Sequence, residues 1–332
     1  MKNKKQKLLY LAAASHSGST LTAMLLGAHP DVCSVGELKA VHLGDADKYL
    51  CSCKDTVQKC YFWQGVTEKM AFEGHSFNIT DAKMDIRSGA DRYVLRLLKP
   101  LVRHNILEYM RDFLLNMSPS WCTALPLLQQ RNSDYVRVIA AQSQATWVVD
   151  SSKIGIRLKY LLKNKDLDIK VLWLVRDGRG VSLAYKNPSQ FADAKDPTLR
   201  GGGVGKTQEL GRDIAQGAHE WVRCNEEIEA ILSQMDKQNW LKVAYEDICL
   251  DTENTLHKVF QFMGVDSAQT RLDFKSVEHH VIGNGMRLDE SETIELDQRW
   301  KHQLTVTDLG IFSNVAGAYQ KKMGYGWGTL QR

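Results

Sequence analysis

A seven-residue apolar run, Leu8–Ala14, leads directly into Ser15-His16-Ser17-Gly18-Ser19-Thr20, and from there into the apolar-periodic segment Thr20–Gly27. A run that short, bounded by a small-residue turn, reads as a buried strand followed by a helix. Strand, turn and helix N-terminus together make an anion site, because backbone N–H groups point outward there and the helix dipole favours negative charge. A simple helix cap needs one hydroxyl residue. Here hydroxyls recur at Ser15, Ser17, Ser19 and Thr20, and Gly18 lets the backbone approach a phosphate closely.

The turn is not a nucleoside-triphosphate loop, which requires Gly, four residues, then Gly-Lys-Ser/Thr. Gly205-Lys206-Thr207 has that ending, but the first glycine would fall on Arg200 and no strand precedes it. The glycines of 201–205 are expected instead to form a mobile lid, with Lys206 able to approach a ligand. An acidic residue of the Walker B kind is not expected to end the second apolar run.

Further apolar runs at Thr146–Val149, Ile169–Val175 and Trp240–Ala244 read as strands. Helical periodicity fills Ile156–Lys163, Gly180–Lys186, Glu209–Met235 and Thr252–Phe262. Strands alternating with helices imply βαβ units: an α/β, three-layer, P-loop-like nucleotide-binding fold around a central, mostly parallel sheet. Residues 40–145 lack a clear core strand and read as a helical and loop insertion that shapes an acceptor site. With no linker-like stretch, residues 1–332 are expected to form one domain. The stripe Trp221, Val222, Ile228, Ile231 and Leu232 is a packing face.

In an open α/β sheet, ligands bind at the C-terminal ends of strands. Arg176 follows the apolar strand and can grip a phosphate with two N–H groups, its competing role being an ion pair with Asp177 or another acid. Lys153 occupies the same edge. A cation in the first turn of a helix opposes the dipole, which favours an anionic partner for it.

These positions, taken in order, resemble the PAPS-dependent sulfotransferases, of a bacterial type with motifs similar to the tyrosylprotein and carbohydrate members. Ser17-Gly-Ser-Thr-Leu21 resembles the 5′-phosphosulfate loop, Val35-Gly-Glu-Leu38 the Gly-Glu segment, and Val149-Asp-Ser-Ser-Lys153 the strand end carrying a catalytic lysine. Leu174-Val-Arg-Asp-Gly-Arg179 resembles the 3′-phosphate strand, Val243-Ala-Tyr-Glu-Asp247 a late strand, and His280–Arg287 with Trp300-Lys301 the C-terminal cofactor segment. The resemblance implies in-line sulfuryl transfer from 3′-phosphoadenosine 5′-phosphosulfate (PAPS) to a hydroxyl or amine. It implies that Glu37 is the general base, and that Lys153 and His16 stabilise the departing charge. Ser15, His16, Ser17, Gly18, Ser19, Thr20 and Leu21 would hold the phosphosulfate. Arg176, Ser182, Gly283, Asn284, Gly285, Arg287 and Lys301 would hold the rest of the cofactor, with no metal required.

Two positions depart from the family pattern. His16 replaces a permanent cation, so bound phosphosulfate is expected to raise its pKa. Ala184 stands where relatives carry the 3′-phosphate serine. Ser182 is near, but two positions along a helix is a rotation of roughly 200°. A P-loop kinase using Mg-ATP and a non-catalytic PAPS-binding protein are the competing readings.

A hydrophobic content of 43% with 25% charged residues describes an ordinary globular chain, and a net charge of +4 is too small to argue for nucleic acid. No apolar stretch reaches the roughly 18 residues that span a bilayer. The basic start Met1–Lys7 before an apolar run superficially resembles a signal peptide, but a first strand accounts for it better. Seven cysteines, an odd number in a long chain, favour a reducing compartment and hence the cytoplasm. The acceptor is expected to be a small molecule, carbohydrate, lipid or peptide. Cys51, Cys53 and Cys60 cluster tightly. Three thiolates with His42 or His75 would make a zinc site, but the spacing favours a disulfide or plain buried thiols. His280 is assigned to the cofactor segment.

Overall fold

A computed structural model describes residues 5–39, 49–99, 105–187, 213–283, 285–288 and 293–326. Its centre is β1, Gln6–Ala13, whose apolar run is continuous because neighbours cover both edges and helices cover both faces. The strands β2 (Val32–Ser34), β3 (Trp147–Lys153), β4 (Leu167–Val175) and β5 (Trp240–Ala244) complete a sheet ordered β2-β3-β1-β4-β5. Every pairing is parallel. The expected fold class is therefore observed, with β2 added; at three residues it is too short to carry a periodic signal.

Alternate residues of β1 point to opposite faces. Leu9, Leu11 and Ala13 meet α1 (Ser19–Gly27) and, further along the sheet, residues of the later helices α9 and α10 (Tyr245–Leu250 and Thr252–Met263). Leu8, Tyr10 and Ala12 belong to the opposite core. That core gathers α2 (Tyr61–Phe72), α5 (Pro119–Ser143), α6 (Gly155–Leu161), α7 (Gly178–Lys186) and α8 (Ile214–Leu232). A small third cluster joins α3 (Arg92–Leu97) and α4 (Asn105–Asn116) to the start of α5 and to α6.

Two results go beyond the sequence reading. The described part of 40–145 contributes no strand, but Trp63 and Val66 of α2 and Tyr135 and Ile139 of α5 pack into the main core, so this segment builds a layer of the fold itself. Past Phe262 the chain adds α11 (Trp300–Gln303) and α12 (Val306–Lys322), the latter started by a Thr305–Asp308 capping box. Among the described residues no helix is long and apolar enough to cross a membrane. The glycine segment with Lys206 lies outside the described residues.

Candidate active site at the strand edge

The turn after β1 is held in an unusual backbone shape. His16 has φ 63° and Gly18 φ 83°, and Gly18 caps α1 without any side-chain cap. No L-residue fits at Gly18, since a Cβ there would overlap the Tyr245 ring. Thr22 Oγ1 donates to the Gly18 carbonyl at 3.0 Å and braces the turn. Ser17 is 1% exposed and its hydroxyl has no partner among the described residues. Leaving a buried hydroxyl unpaired costs about 1–3 kcal/mol, so an uncapped helix start beside it fits a ligand that supplies acceptor oxygens. Leu21 is buried in the core under α1, so only its backbone can serve a ligand.

Arg176 follows β4 directly and reaches under this turn. Its Nη1 donates to the His16 carbonyl at 2.8 Å, its Nη2 lies 2.9 Å from Asp297 Oδ2, and its guanidinium covers the Tyr245 ring at 4.6 Å. Asp177 is not its partner. Asp177 takes Arg179 at 2.6 Å and caps α7, while Arg179 stacks on Trp300 at 3.9 Å. Burial pushes the Asp297 carboxyl up, but the Arg299 hydrogen bond and the Arg176 charge outweigh it and hold it well below the usual carboxylate range. The His16 ring stands edge-on to Tyr185 at 5.2 Å.

On the neighbouring strand, β3 gains one residue against β1: Tyr10 faces Asp150, yet Ala12 faces Lys153. This bulge, with Lys153 at φ 69°, aims the lysine out of the sheet edge. Lys153 Nζ donates to Glu37 Oε1 at 2.5 Å, joining residues 116 positions apart. Glu37 is placed from below by Gly36, whose φ of 86° lets it bridge Ile282 with no room for a Cβ. Burial raises the Glu37 pKa, but Lys153, Lys39 and His16 together outweigh that and lower it. Glu37, Lys153 and His16 therefore share one electrostatic environment.

Other expected cofactor residues are placed differently. Gly180 faces the Arg176 guanidinium, where a Cβ would stand 3.2 Å from Nε, while Ser182 packs against Gly217 of α8 and is fully buried. The two-residue rotation puts Gly180, not Ser182, beside the guanidinium, and the Ser182 hydroxyl is buried with no partner among the described residues. Arg287 gives its Nε and Nη2 to the Leu50 carbonyl at 3.1 and 2.9 Å and its Nη1 to the Gly283 carbonyl, and it covers Tyr49. Gly283 also exchanges hydrogen bonds with the Tyr49 hydroxyl, both at 3.0 Å. Gly285 opens a single 3-10 turn, and Asn284 lies outside the described residues. Lys301 is exposed on α11 and donates to Gln298 at 2.7 Å.

A sulfotransferase family model matches residues 10–269, which contain the turn, Glu37, Lys153 and Arg176. The chain belongs to the sulfotransferase family. A 3-beta-hydroxysteroid sulfotransferase of Cavia porcellus is 26% identical over 170 residues, covering 46% of this chain and 56% of that protein. Among solved structures, a sulfotransferase domain from the curacin biosynthetic pathway is 15% identical with TM-score 0.42, over 97% of this chain and 98% of that one. A sulfotransferase from Mycobacterium avium is 11% identical with TM-score 0.48, covering 97% and 78% respectively.

Within this sulfotransferase frame one expectation is corrected. An acid does end the second apolar run: Asp150 follows Val149. It is fully buried, paired to Arg157 at 3.1 Å and accepting from the Ser152 backbone, so it is closed to a magnesium ion. Sequence reasoning also gave no role to Tyr245 or Asp297. Tyr245 had a usable signal, since it follows β5 at the ligand-binding edge. Asp297 had none, because its pairing with Arg176 crosses 121 positions.

Proposed function

We propose that this chain transfers a sulfuryl group from PAPS to the hydroxyl or amine of a small-molecule, carbohydrate, lipid or peptide acceptor. The observation that carries the reading is the Glu37–Lys153 pair, brought by two strand ends to the edge that also holds the uncapped α1 N-terminus. PAPS, when bound, supplies the activated sulfuryl group and a bisphosphate leaving group.

The backbone of 17–21 and the unpaired Ser17 hydroxyl hold the phosphosulfate, and Arg176 serves the 3′-phosphate side. Glu37 takes the acceptor proton at its carboxylate as the acceptor attacks. Lys153 neutralises charge growing on the leaving oxygen. The pairing ties the two roles together: Lys153 keeps Glu37 ionised, and as the ammonium turns to the leaving group, Glu37 becomes more basic. His16, when protonated, adds charge beside the phosphosulfate. The transfer itself uses these cations in place of a metal. Seven cysteines without a disulfide accord with a cytoplasmic setting.

Calorimetric titration with adenosine 3′,5′-bisphosphate, alongside ATP with magnesium, tests the reading. Tight binding of the bisphosphate, indifferent to magnesium, is expected. Binding of magnesium-ATP alone would overturn it in favour of a kinase. Bisphosphate binding that survives Glu37→Gln, with no transfer by the wild type to any acceptor class, would favour the non-catalytic binder.

A further inference from the structure

The cysteine cluster has a fourth member that its spacing did not reveal. Cys51, Cys53 and Cys60 converge with His280, and one ligand atom from each lies within 4.8 Å of all the others. His75, one of the two histidines expected there, instead pairs with Asp134 at 2.8 Å, and His42 lies outside the described residues. His280 is thus drawn away from the cofactor role expected of it.

Three of the six ligand-atom separations can be set against those around a tetrahedral metal. Zn–S near 2.3 Å and Zn–N near 2.0–2.1 Å put tetrahedral S···S pairs about 3.8 Å and S···N pairs about 3.5 Å apart. Cys53 and Cys60 Sγ are 3.6 Å apart, and His280 Nδ1 is 3.3 Å from Cys60 Sγ and 4.0 Å from Cys51 Sγ.

The hydrogen bonds around the histidine also suit a ligand. Tyr61 donates its hydroxyl proton to Glu278 at 3.0 Å, so at its 3.1 Å contact with His280 Nε2 it accepts. Nε2 thus donates to Tyr61, and Nδ1 is the ring nitrogen that faces the sulfurs. A ligating histidine ordinarily has its other ring N–H fixed in this way. Phe62 stacks on the ring at 4.6 Å and 7°, which sets its plane. Cys51 and Cys60 are fully buried, and none of the three cysteines is in a disulfide.

We propose that Cys51, Cys53, Cys60 and His280 bind one structural zinc ion. All four positions are filled by the protein, so the ion has no open site for chemistry. Its place explains its use. Ser52 exchanges hydrogen bonds with Val281, and the next residue, Ile282, is the one that bridges Gly36 beside Glu37. The ion would staple the turn at 51–60 to the strap that seats Glu37.

Metal analysis of the protein purified from zinc-supplemented cells tests this, with cobalt(II) exchange as the spectroscopic probe. One equivalent of zinc is expected, together with the visible bands of tetrahedral cobalt and near-ultraviolet thiolate charge transfer. Cys53→Ser should lose most of the zinc, while Cys122→Ser, at an exposed cysteine outside the cluster, should keep it. His280→Cys should retain one equivalent with stronger thiolate charge transfer, which separates lost ligation from lost folding. Substoichiometric zinc with no cobalt spectrum, full zinc in Cys53→Ser, or a Cys53–Cys60 disulfide in peptide mapping would each overturn the proposal.

Discussion

At the β1–α1 turn the groups suited to an anion stand open: α1 has no side-chain cap, and the buried Ser17 hydroxyl has no partner among the described residues. Among the described residues of 279–288, Gly283 and Arg287 are already bound to Tyr49 and Leu50, and His280 stands among the cysteines. Both regions were assigned to one cofactor by resemblance. The contrast teaches that an orphaned polar group beside an uncapped helix start marks a place for a ligand, whereas a satisfied one marks a joint of the scaffold. It also separates two arginines of one expected role: Arg176 reaches the anion turn, and Arg287 ties the strap to residues 49–51.

The largest effect should come from the edge itself. Glu37→Gln is expected to lower kcat by about 10²–10⁴-fold with little change in bisphosphate affinity, read from sulfate-transfer kinetics and calorimetry. A loss of affinity as large as the loss of rate would make Glu37 part of the scaffold. Next, Arg176→Ala should weaken bisphosphate binding by about 10–150-fold, the worth of a charged hydrogen-bonding group at about 1.5–3 kcal/mol. Arg287→Ala should chiefly lower the melting temperature. Equal loss of affinity in both variants, at unchanged stability, would erase the distinction drawn here.

His16→Arg sharpens the comparison through pH. If protonated His16 assists, kcat/KM falls on the alkaline side in the wild type and that limb disappears in His16→Arg; a limb that persists assigns the titration elsewhere. Asp297 gives a stability counterpart. Its folded pKa lies below the ordinary carboxylate value, so its contribution is complete above about pH 4 and is lost as pH falls through the folded pKa. Asp297→Asn should therefore lower the melting temperature near neutrality and flatten its acid limb; parallel curves would refute the linkage. The smallest effect is expected for Ser182→Ala, with bisphosphate affinity changed by less than about twofold, since Ser182 packs against Gly217 and Gly180 stands beside Arg176 in its place. A tenfold loss would restore Ser182 to the site.

Much of the edge was legible along the chain. Arg176 could be placed from the strand it follows, and Gly18 from the turn it must make, because both follow from short-range geometry. Ser182 could not be placed in the same way: helix phase decides which way a side chain faces, and α7 starts at Gly178, putting Gly180 toward Arg176. The histidine beside the cysteines was not legible, His42 and His75 being the nearer options, because proximity in sequence to Cys60 says little about which loop folds back over it.

The sequence alone determined the alternation of apolar strands with amphipathic helices, the anion-binding turn and the positions of the charged strand ends, since these depend on residues a few positions apart. Only the tertiary structure decided that Lys153 meets Glu37, that Asp297 holds Arg176, and that His280 joins the cysteines. Each of those contacts spans more than 100 positions and is set by sheet order and loop closure, which no local pattern encodes.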